Sequence, residues 1–514
     1  MKKVLMVVVV VGLIALMPLI IFTSPAESAP KKFVIATETE PDILEGLKAI
    51  HPPVTRPIGD NIQEFLVSLN TEGKVVPCLS SSWTVSPDGK LIDFTLQKGI
   101  KFHSGDPLTT KDVVFSFNRG NEINPIHQRY LRFLDKMEII DDYRIKFHFK
   151  EADATFLKRL GSVPIASKSY FDRVGEDQFT RRPVGTGPYQ FVAWELGNFI
   201  DLKAFEDYWG SAPSIKEVRF KFAKEDTTRV AMLKTGEADL VMNIPYPNVE
   251  EIKKAGFKTV MFDTHPTMQV RFQCFNPKVP WYDKRVRKAV ALAIDSDAII
   301  KKLFHGIPAR YARIAPWELG YDPELKPYPY DPKKAKQLLA EAGYPNGFEM
   351  PWYYLIGRGA GIKETAEASA LYLNAVGIKC KVTGMEGIKL IAMVKDEWRN
   401  NPNAVTVLGV DLAPLAHYPD PSMALDMVYH SQAPFCFWST PEVDGLIDKM
   451  KVTVDDTKRA ELIKKANRII DEEVPTIEHW ASRVVYGMKK NLDFTPANAT
   501  GILYMHVNDI KVKE

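Results

Sequence analysis

Residues that carry chemistry are few in this chain and are not arranged for use. There are only four cysteines in 514 residues, Cys78, Cys274, Cys380 and Cys436, and they lie far apart. Without a Cys-x-x-Cys pair, neither a zinc ribbon nor a thioredoxin-type redox motif is encoded. An oxidising compartment would permit disulfides, yet an even count fixes no pairing. Cys380, following Val376-Gly377-Ile378, reads as a small buried hydrophobe. The ten histidines are scattered with no i, i+4 pair, so no metal held directly by the protein is expected. Nucleophile-elbow, HExxH and Walker signatures are missing. Gly185-Thr186-Gly187 begins like a dinucleotide fingerprint, but Gln190 stands at the third glycine position, which makes it a turn. Adjacent carboxylates such as Asp141-Asp142, Asp455-Asp456 and Glu472-Glu473 read as solvated faces, not an acid/base dyad. The net charge of +3 comes without a basic run, which argues against nucleic acid as a partner. No cofactor and no catalysis are expected.

What is present begins with a secretion-like leader. Met1-Lys2-Lys3 precede an apolar run from Val4 to Phe22, and small residues follow it. That is the layout of a signal peptide over residues 1–29, with cleavage after Ala26 or Ala29. The run approaches the roughly 20 residues of a spanning helix, so an uncleaved anchor is the alternative. Pro18 interrupts it and favours cleavage. Either outcome leaves the remaining chain outside the cytoplasm. No cysteine follows the run for lipid attachment, so a free periplasmic protein fits better.

With 45% hydrophobic residues over this length, the chain can bury large cores and should form more than one lobe. Pro87-Asp88-Gly89 is a turn signal, and Ile92, Phe94 and Leu96 then alternate with polar residues as in a half-buried strand. Thr109 and Asp112 have capping-box spacing ahead of Val113, Val114 and Phe117, so a helix begins there. Further strands are expected at Phe33–Thr37, Arg144–Phe149 and Val376–Val382, with helices over 61–69 and 226–235. Asp331 and Pro332 open another helix that Gly343 closes, and Ser296 can cap a helix that Gly306 terminates. Helix followed by strand, repeated, indicates α/β lobes with mixed sheets.

The order Trp83, turn, strand, KGIKFHSGDPLTTKDVVFS closely resembles the family 5 extracellular solute-binding proteins of ABC importers. Three more segments match in the same order: PVGTGPYQF from Pro183, FNPKVPWYDKRVRKAVALAIDSDAII from Phe275, and YDPKKAKQLLAEAGYPNGFE from Tyr330. The resemblance runs from about Asn61 to the C-terminus. It implies a two-lobed α/β fold of periplasmic-binding-protein type, with mixed sheets and a two-strand hinge, in its large three-subdomain variety. One lobe would hold residues 30–267 plus 490–514, with an inserted subdomain at about 60–185. The other would hold 268–489, and the hinge would lie near Met268 to Cys274 and Val484 to Lys489. The implied function is capture of a peptide-like or carboxylate-bearing small solute between the lobes by a monomer, with delivery to membrane permease subunits. A sensor or chaperone role without transport is the alternative.

The resemblance also points to site residues. The family pattern Trp-x-x-Asp-Tyr-x-[Asp/Glu]-Pro, whose Asp anchors a peptide ammonium, matches Pro414-Leu415-Ala416-His417-Tyr418-Pro419-Asp420-Pro421 here. His417 replaces the anchor, and a neutral imidazole cannot give an ammonium the charge-assisted bond a carboxylate supplies. Asp411 or Asp420 would take that role if the alignment slips. Arg358, flanked by Gly357 and Gly359 and close to Tyr354, matches an Arg that holds ligand carboxylate in dipeptide-binding relatives. Tyr418 matches a position that often contacts ligand, and Trp438 either covers an apolar ligand face or belongs to the core. The segments from Thr37 to Asp42 and from Leu412 to His417 would offer backbone edges to an extended ligand. A modified peptide, an organic acid or a carboxylate-based chelate fits these residues, and a chelated metal would come only with its organic partner.

Overall fold

The computed structural model describes residues 32–50, 52–70, 73–356, 361–386, 389, 407–412, 420–433, 435–495 and 505–513. Among these, ten strands form one mixed sheet. From one edge the order is Ile378–Met385, Phe348–Leu355, Val407–Leu412, Lys258–Phe272, Thr476–Met488, Leu240–Val241, Phe33–Thr37, Glu217–Phe222, Phe199–Ala204 and Tyr189–Glu195. Ser80–Val85, Leu91–Leu96, Arg144–Phe149 and Leu134–Asp141 form a separate antiparallel sheet in that order. No described helix is long and apolar enough to cross a membrane.

The two central strands are far longer than the rest. Lys258–Phe272 pairs antiparallel with Thr476–Met488 from Lys258 opposite Met488 to Arg271 opposite Thr476. The register shifts between Asp263 and Thr267 and again between Met268 and Gln269. On one side of those shifts, the pair joins Leu240–Val241; on the other it joins Val407–Leu412. Buried residues group accordingly. One core gathers Val270, Phe272, Trp352 and Ile477 with the helices Lys284–Ala293 and Ile362–Ala375. Others gather around Ile35, Phe220 and Tyr486, and around Ile92, Phe94 and Phe147 in the four-stranded sheet.

Local sequence signals hold in several places. Ile92, Phe94 and Leu96 are buried while their neighbours are not. The Thr109 amide donates to Asp112 at 2.9 Å, completing the expected capping box. Asp331 accepts from the Lys334 amide, and Gly343 is left-handed at φ 92°. Several expectations need correction. The strand expected at Val376–Val382 runs Ile378–Met385, because Val376 and left-handed Gly377 close the preceding helix, and Cys380 is half-buried, not buried. The helix expected over 61–69 lies earlier, at Pro52–Gly59, and Val67–Leu69 is a strand. Asn61 explains the change: its buried side chain bonds the Pro57 and Met505 carbonyls and the Val507 amide, tying the chain to the C-terminal segment. The cap expected of Ser296 belongs to Asp295, which accepts from the Ala298 amide, while the Ser296 hydroxyl meets His479 Nδ1 at 2.9 Å. The described cysteines are all free thiols.

The Pro183-Val184-Gly185-Thr186-Gly187 turn is packing machinery. Gly187 and Tyr189 donate their amides to Ile62 and Asn61 carbonyls at 3.0 Å. A Cβ on Gly185 would sit 2.0 Å from the Ile62 oxygen, a contact that only backbone movement could relieve. Gly185→Ala is therefore expected to lower unfolding free energy by about 3 kcal/mol, the upper end for overpacking. Gly445→Ala, in the helix Pro441–Val452 with nothing within 4 Å of its Cβ, should be neutral or slightly stabilising. Urea unfolding of the two variants checks the contrast.

Candidate functional site

Strand direction locates the site. Phe348–Leu355 runs parallel to both Ile378–Met385 and Val407–Leu412, so all three carboxyl ends emerge at one edge. Phe33–Thr37, Glu217–Phe222 and Leu240–Val241 are likewise mutually parallel. Leu412 lies opposite Met268, and Val241 lies opposite Gly487. Both sets of carboxyl ends therefore point from opposite sides at the stretch where Asp263 faces Arg483 and Thr267 faces Ala481. In open α/β sheets, ligands bind outside the carboxyl ends of strands. Here two such edges face each other across the middle of the paired central strands.

That middle is polar and tied. Arg483 reaches Asp263 at 2.5 Å and the Ile307 carbonyl at 3.3 Å. Tyr246 donates its hydroxyl to the Arg483 carbonyl at 2.8 Å and accepts the Arg483 amide at 3.1 Å. At the edge after Phe33–Thr37, Glu38 accepts from Asn243 Nδ2 at 3.1 Å and from Arg229 at 3.5 Å. Asn243 holds the left-handed conformation, φ 55°. The Thr37 carbonyl already accepts the Ala223 amide, so an extended ligand would find its backbone edge beyond Thr37. Glu40 is engaged by Trp194 Nε1 at 2.7 Å and by the Gly197 amide.

The predicted site residues fare differently. Arg358, His417 and Tyr418 lie outside the described residues, as does the edge from 413 to 417. Tyr354 is half-buried near the carboxyl end of Phe348–Leu355, opposite Gly384, whose missing side chain leaves room for the phenol ring. Trp438 packs into the core edge-on to Tyr429, with ring centroids 6.5 Å apart, which is the core reading of that residue. Asp420 is fully buried. One of its oxygens takes the Ser422 amide at 3.0 Å and hydroxyl at 2.6 Å; the other takes Lys158 at 2.8 Å and Arg459 at 3.1 Å. With its lone-pair sites engaged, Asp420 offers none to a solute in this conformation, so the ligand contact expected of it is replaced by a helix cap and an ion-pair junction. Sequence reasoning missed Lys158, which is 262 positions from its partner and has no local signal. Among the described residues, no group of three or more His, Cys, Asp or Glu could hold a metal.

Two α/β halves, joined by a pair of long strands and presenting opposed strand ends, define a two-lobed protein of the solute-binding class. The chain belongs to the bacterial extracellular solute-binding proteins, family 5, whose pattern it matches over residues 74–435. It is similar to the glutathione-binding protein GsiB of Escherichia coli K12, with 28% identity over 493 residues covering 94% of this chain and 95% of that one. The periplasmic binding protein DppA of Helicobacter pylori, solved with the peptide STSA, aligns with TM-score 0.74 and 25% identity, covering 94% and 98% of the two chains. AgaA of A. tumefaciens R10, solved with agropinic acid, aligns with TM-score 0.74 and 25% identity over 94% and 99%. HbpA2 of Haemophilus parasuis shares the fold with TM-score 0.82 over 94% and 100%, at 23% identity.

Burial would raise the Asp420 carboxyl, but Lys158 and Arg459 outweigh it and hold the group down at about 2. Its contribution to stability is complete above about pH 4, the ordinary aspartate range, and is lost as pH falls toward 2. Asp420→Asn should cost about 3 kcal/mol at pH 7 by leaving buried Arg459 with only the exposed Asp456 as charge partner, and should flatten the acid limb of a stability-versus-pH curve. Chemical unfolding across pH 2–7 checks both effects.

Proposed function

We propose that this protein is the periplasmic receptor of an ABC importer, and that it takes a small peptide-like or carboxylate-bearing solute between its lobes and hands it to a membrane permease. The opposed carboxyl ends of the two strand sets carry this reading, together with the family match. Residues 1–29 serve as a cleaved export signal. One lobe comprises 30 to about 263 and about 484 to 514, with an inserted subdomain at about 60–185, and the other about 268 to 481; the boundary expected near 490 moves back because Tyr486 and Met488 pack with Ile35 and Phe220. The register shifts in the central strands are where the two lobes bend, since irregular pairing deforms more easily than regular ladder. Affinity comes from desolvation in the closed cleft plus a few charge-matched bonds, and the protein performs no chemistry on its cargo.

The solute class follows from two residues. Arg358 is permanently charged and forks onto a carboxylate, and its flanking glycines allow close approach. His417, in place of an acidic anchor, withdraws the charge a free terminal ammonium would want. Relatives with known ligands support an acidic cargo, because glutathione and agropinic acid both carry carboxylates; glutathione also carries an ammonium, so it fits the role given to Arg358 and not the one given to His417.

Reduced glutathione is the first probe to titrate into protein stripped of ligand by unfolding and refolding. Binding should compact the molecule in small-angle scattering, and Arg358→Ala should weaken it about 10- to 100-fold, the worth of one charged hydrogen bond. Binding without any change in dimensions would refute the two-lobe closure. A free dipeptide identified by mass spectrometry as the tight co-purifying ligand would refute the role given to His417. The exported protein should begin at Glu27 or Pro30 by N-terminal sequencing, and a retained Met1 would mean an anchor instead.

A further inference from the structure

We infer that Lys158 and Arg132, from the subdomain inserted in the first lobe, latch onto Asp420 and Asp426 of the second lobe and set how readily the protein closes. The inference rests on the two-lobe capture reading and adds positioning residues to it.

Two carboxylates of the second lobe share one arrangement. Asp420, at the N-cap of the helix Pro421–Tyr429, is paired with Arg459 of its own lobe at 3.1 Å and with Lys158 across the divide at 2.8 Å. Asp426, on that same helix, is paired with Lys451 of its own lobe at 2.8 Å and with Arg132 across the divide at 3.5 Å. Each acid therefore has one resident cation and one visiting cation. Separation of the lobes would return Lys158 and Arg132 to water, while Arg459 and Lys451 continue to neutralise the acids. Such a contact can open without stranding an unpaired buried charge, the usual penalty for breaking a buried pair.

Neutral contacts align the same surfaces. The Ala154 amide donates to the Lys451 carbonyl at 2.9 Å, in the last turn of the helix Pro441–Val452, where carbonyls lack intrahelical partners. Met423 of the second lobe packs against the core of the inserted subdomain. Gly89, at φ 69° in the Pro87-Asp88-Gly89 turn, approaches Val454 so closely that a Cβ would lie 2.7 Å from its methyl group. Lys158 is presented from a short helix, Phe156–Leu160, that its neighbour Arg159 pins by bonding the Tyr130 carbonyl at 3.0 Å and pairing with Asp153. In sequence, Asp420 directly follows the 413–419 stretch that carries His417 and Tyr418. A contact made only in the closed form raises the binding-competent fraction and tightens apparent affinity without touching solute.

The test uses ligand-stripped mature protein and the double variant Lys158→Gln/Arg132→Gln, with Lys158→Arg/Arg132→Lys as the charge-conserving control. Small-angle scattering without ligand should give larger dimensions for the Gln variant than for wild type, with the control matching wild type. Raising salt from 20 to 500 mM, which shrinks the screening length several-fold, should enlarge ligand-free wild type and leave the Gln variant unchanged. Reduced glutathione affinity should fall about tenfold or more in the Gln variant and hold in the charge-conserving control. Equal ligand-free dimensions and equal salt response in wild type and Gln variant would overturn the latch. Wild-type compaction on glutathione tests the two-lobe reading separately, and if glutathione binds neither protein, the ligand-free scattering alone decides the latch.

Discussion

Everything in this molecule depends on the antiparallel ladder between Lys258–Phe272 and Thr476–Met488. It is the inner end of each half's run of strands, continuing into Val407–Leu412 on one side and Leu240–Val241 on the other, so neither half has an independent edge there. Backbone hydrogen bonds resist sliding and twisting between the two strands, which restricts relative motion of the halves to bending where the register is irregular. The same ladder fixes the site, because antiparallel pairing to Leu412 at one end and Val241 at the other forces the two sets of strand ends to converge. The proposed cleft would thus be a consequence of strand direction, before any side chain is considered.

Sequence made local order legible where one physical signal acted over a few residues. Period-two burial in Leu91–Leu96 and caps at Thr109 and Asp331 are short-range effects, and they stand as read. Failure came where a distant contact outbid local preference. Asn61 looked like the start of a helix, but its amide is committed to residues near 505–507, more than 440 positions away. The one-residue slip from Ser296 to Asp295 has a similar cause, since the Ser296 hydroxyl meets His479 on the far strand. Asp420 is the most instructive case. It is a candidate anchor only if the match that puts His417 at the family's anchor position slips, and Lys158 and Arg459, both remote in sequence, account for the carboxylate's charge.

Buried charge follows one pattern beyond Asp420. Arg313, almost wholly buried, spreads its guanidinium over Tyr429 at 2.9 Å, Asn467 at 2.7 Å, Thr476 at 2.9 Å and Glu478 at 3.1 Å. These partners come from two helices and a central strand, so one cation cross-links the second lobe from inside. All of them lie on one side of the register shifts, so the proposed closure would leave this junction intact. Fully satisfied polar networks of this kind specify one packing and rigidify it.

Set against that rigid junction, the Asp420 and Asp426 pairs differ in one respect that matters for function: each has a partner on either side of the divide. Rigidity within a lobe and reversibility between lobes call for different electrostatics, and the chain supplies both with the same residue types. Selection of cargo and control of closure can then vary independently. On the proposed capture reading, cargo contacts follow the strand ends, where loops change without disturbing the ladder, whereas the proposed closing contacts sit on helix termini and turns that belong to the scaffold. On that same reading, His417 in place of an acidic anchor redirects specificity while leaving the closing energetics intact. That separation lets one architecture accept chemically unlike solutes while keeping a common closed shape for a membrane partner to recognise.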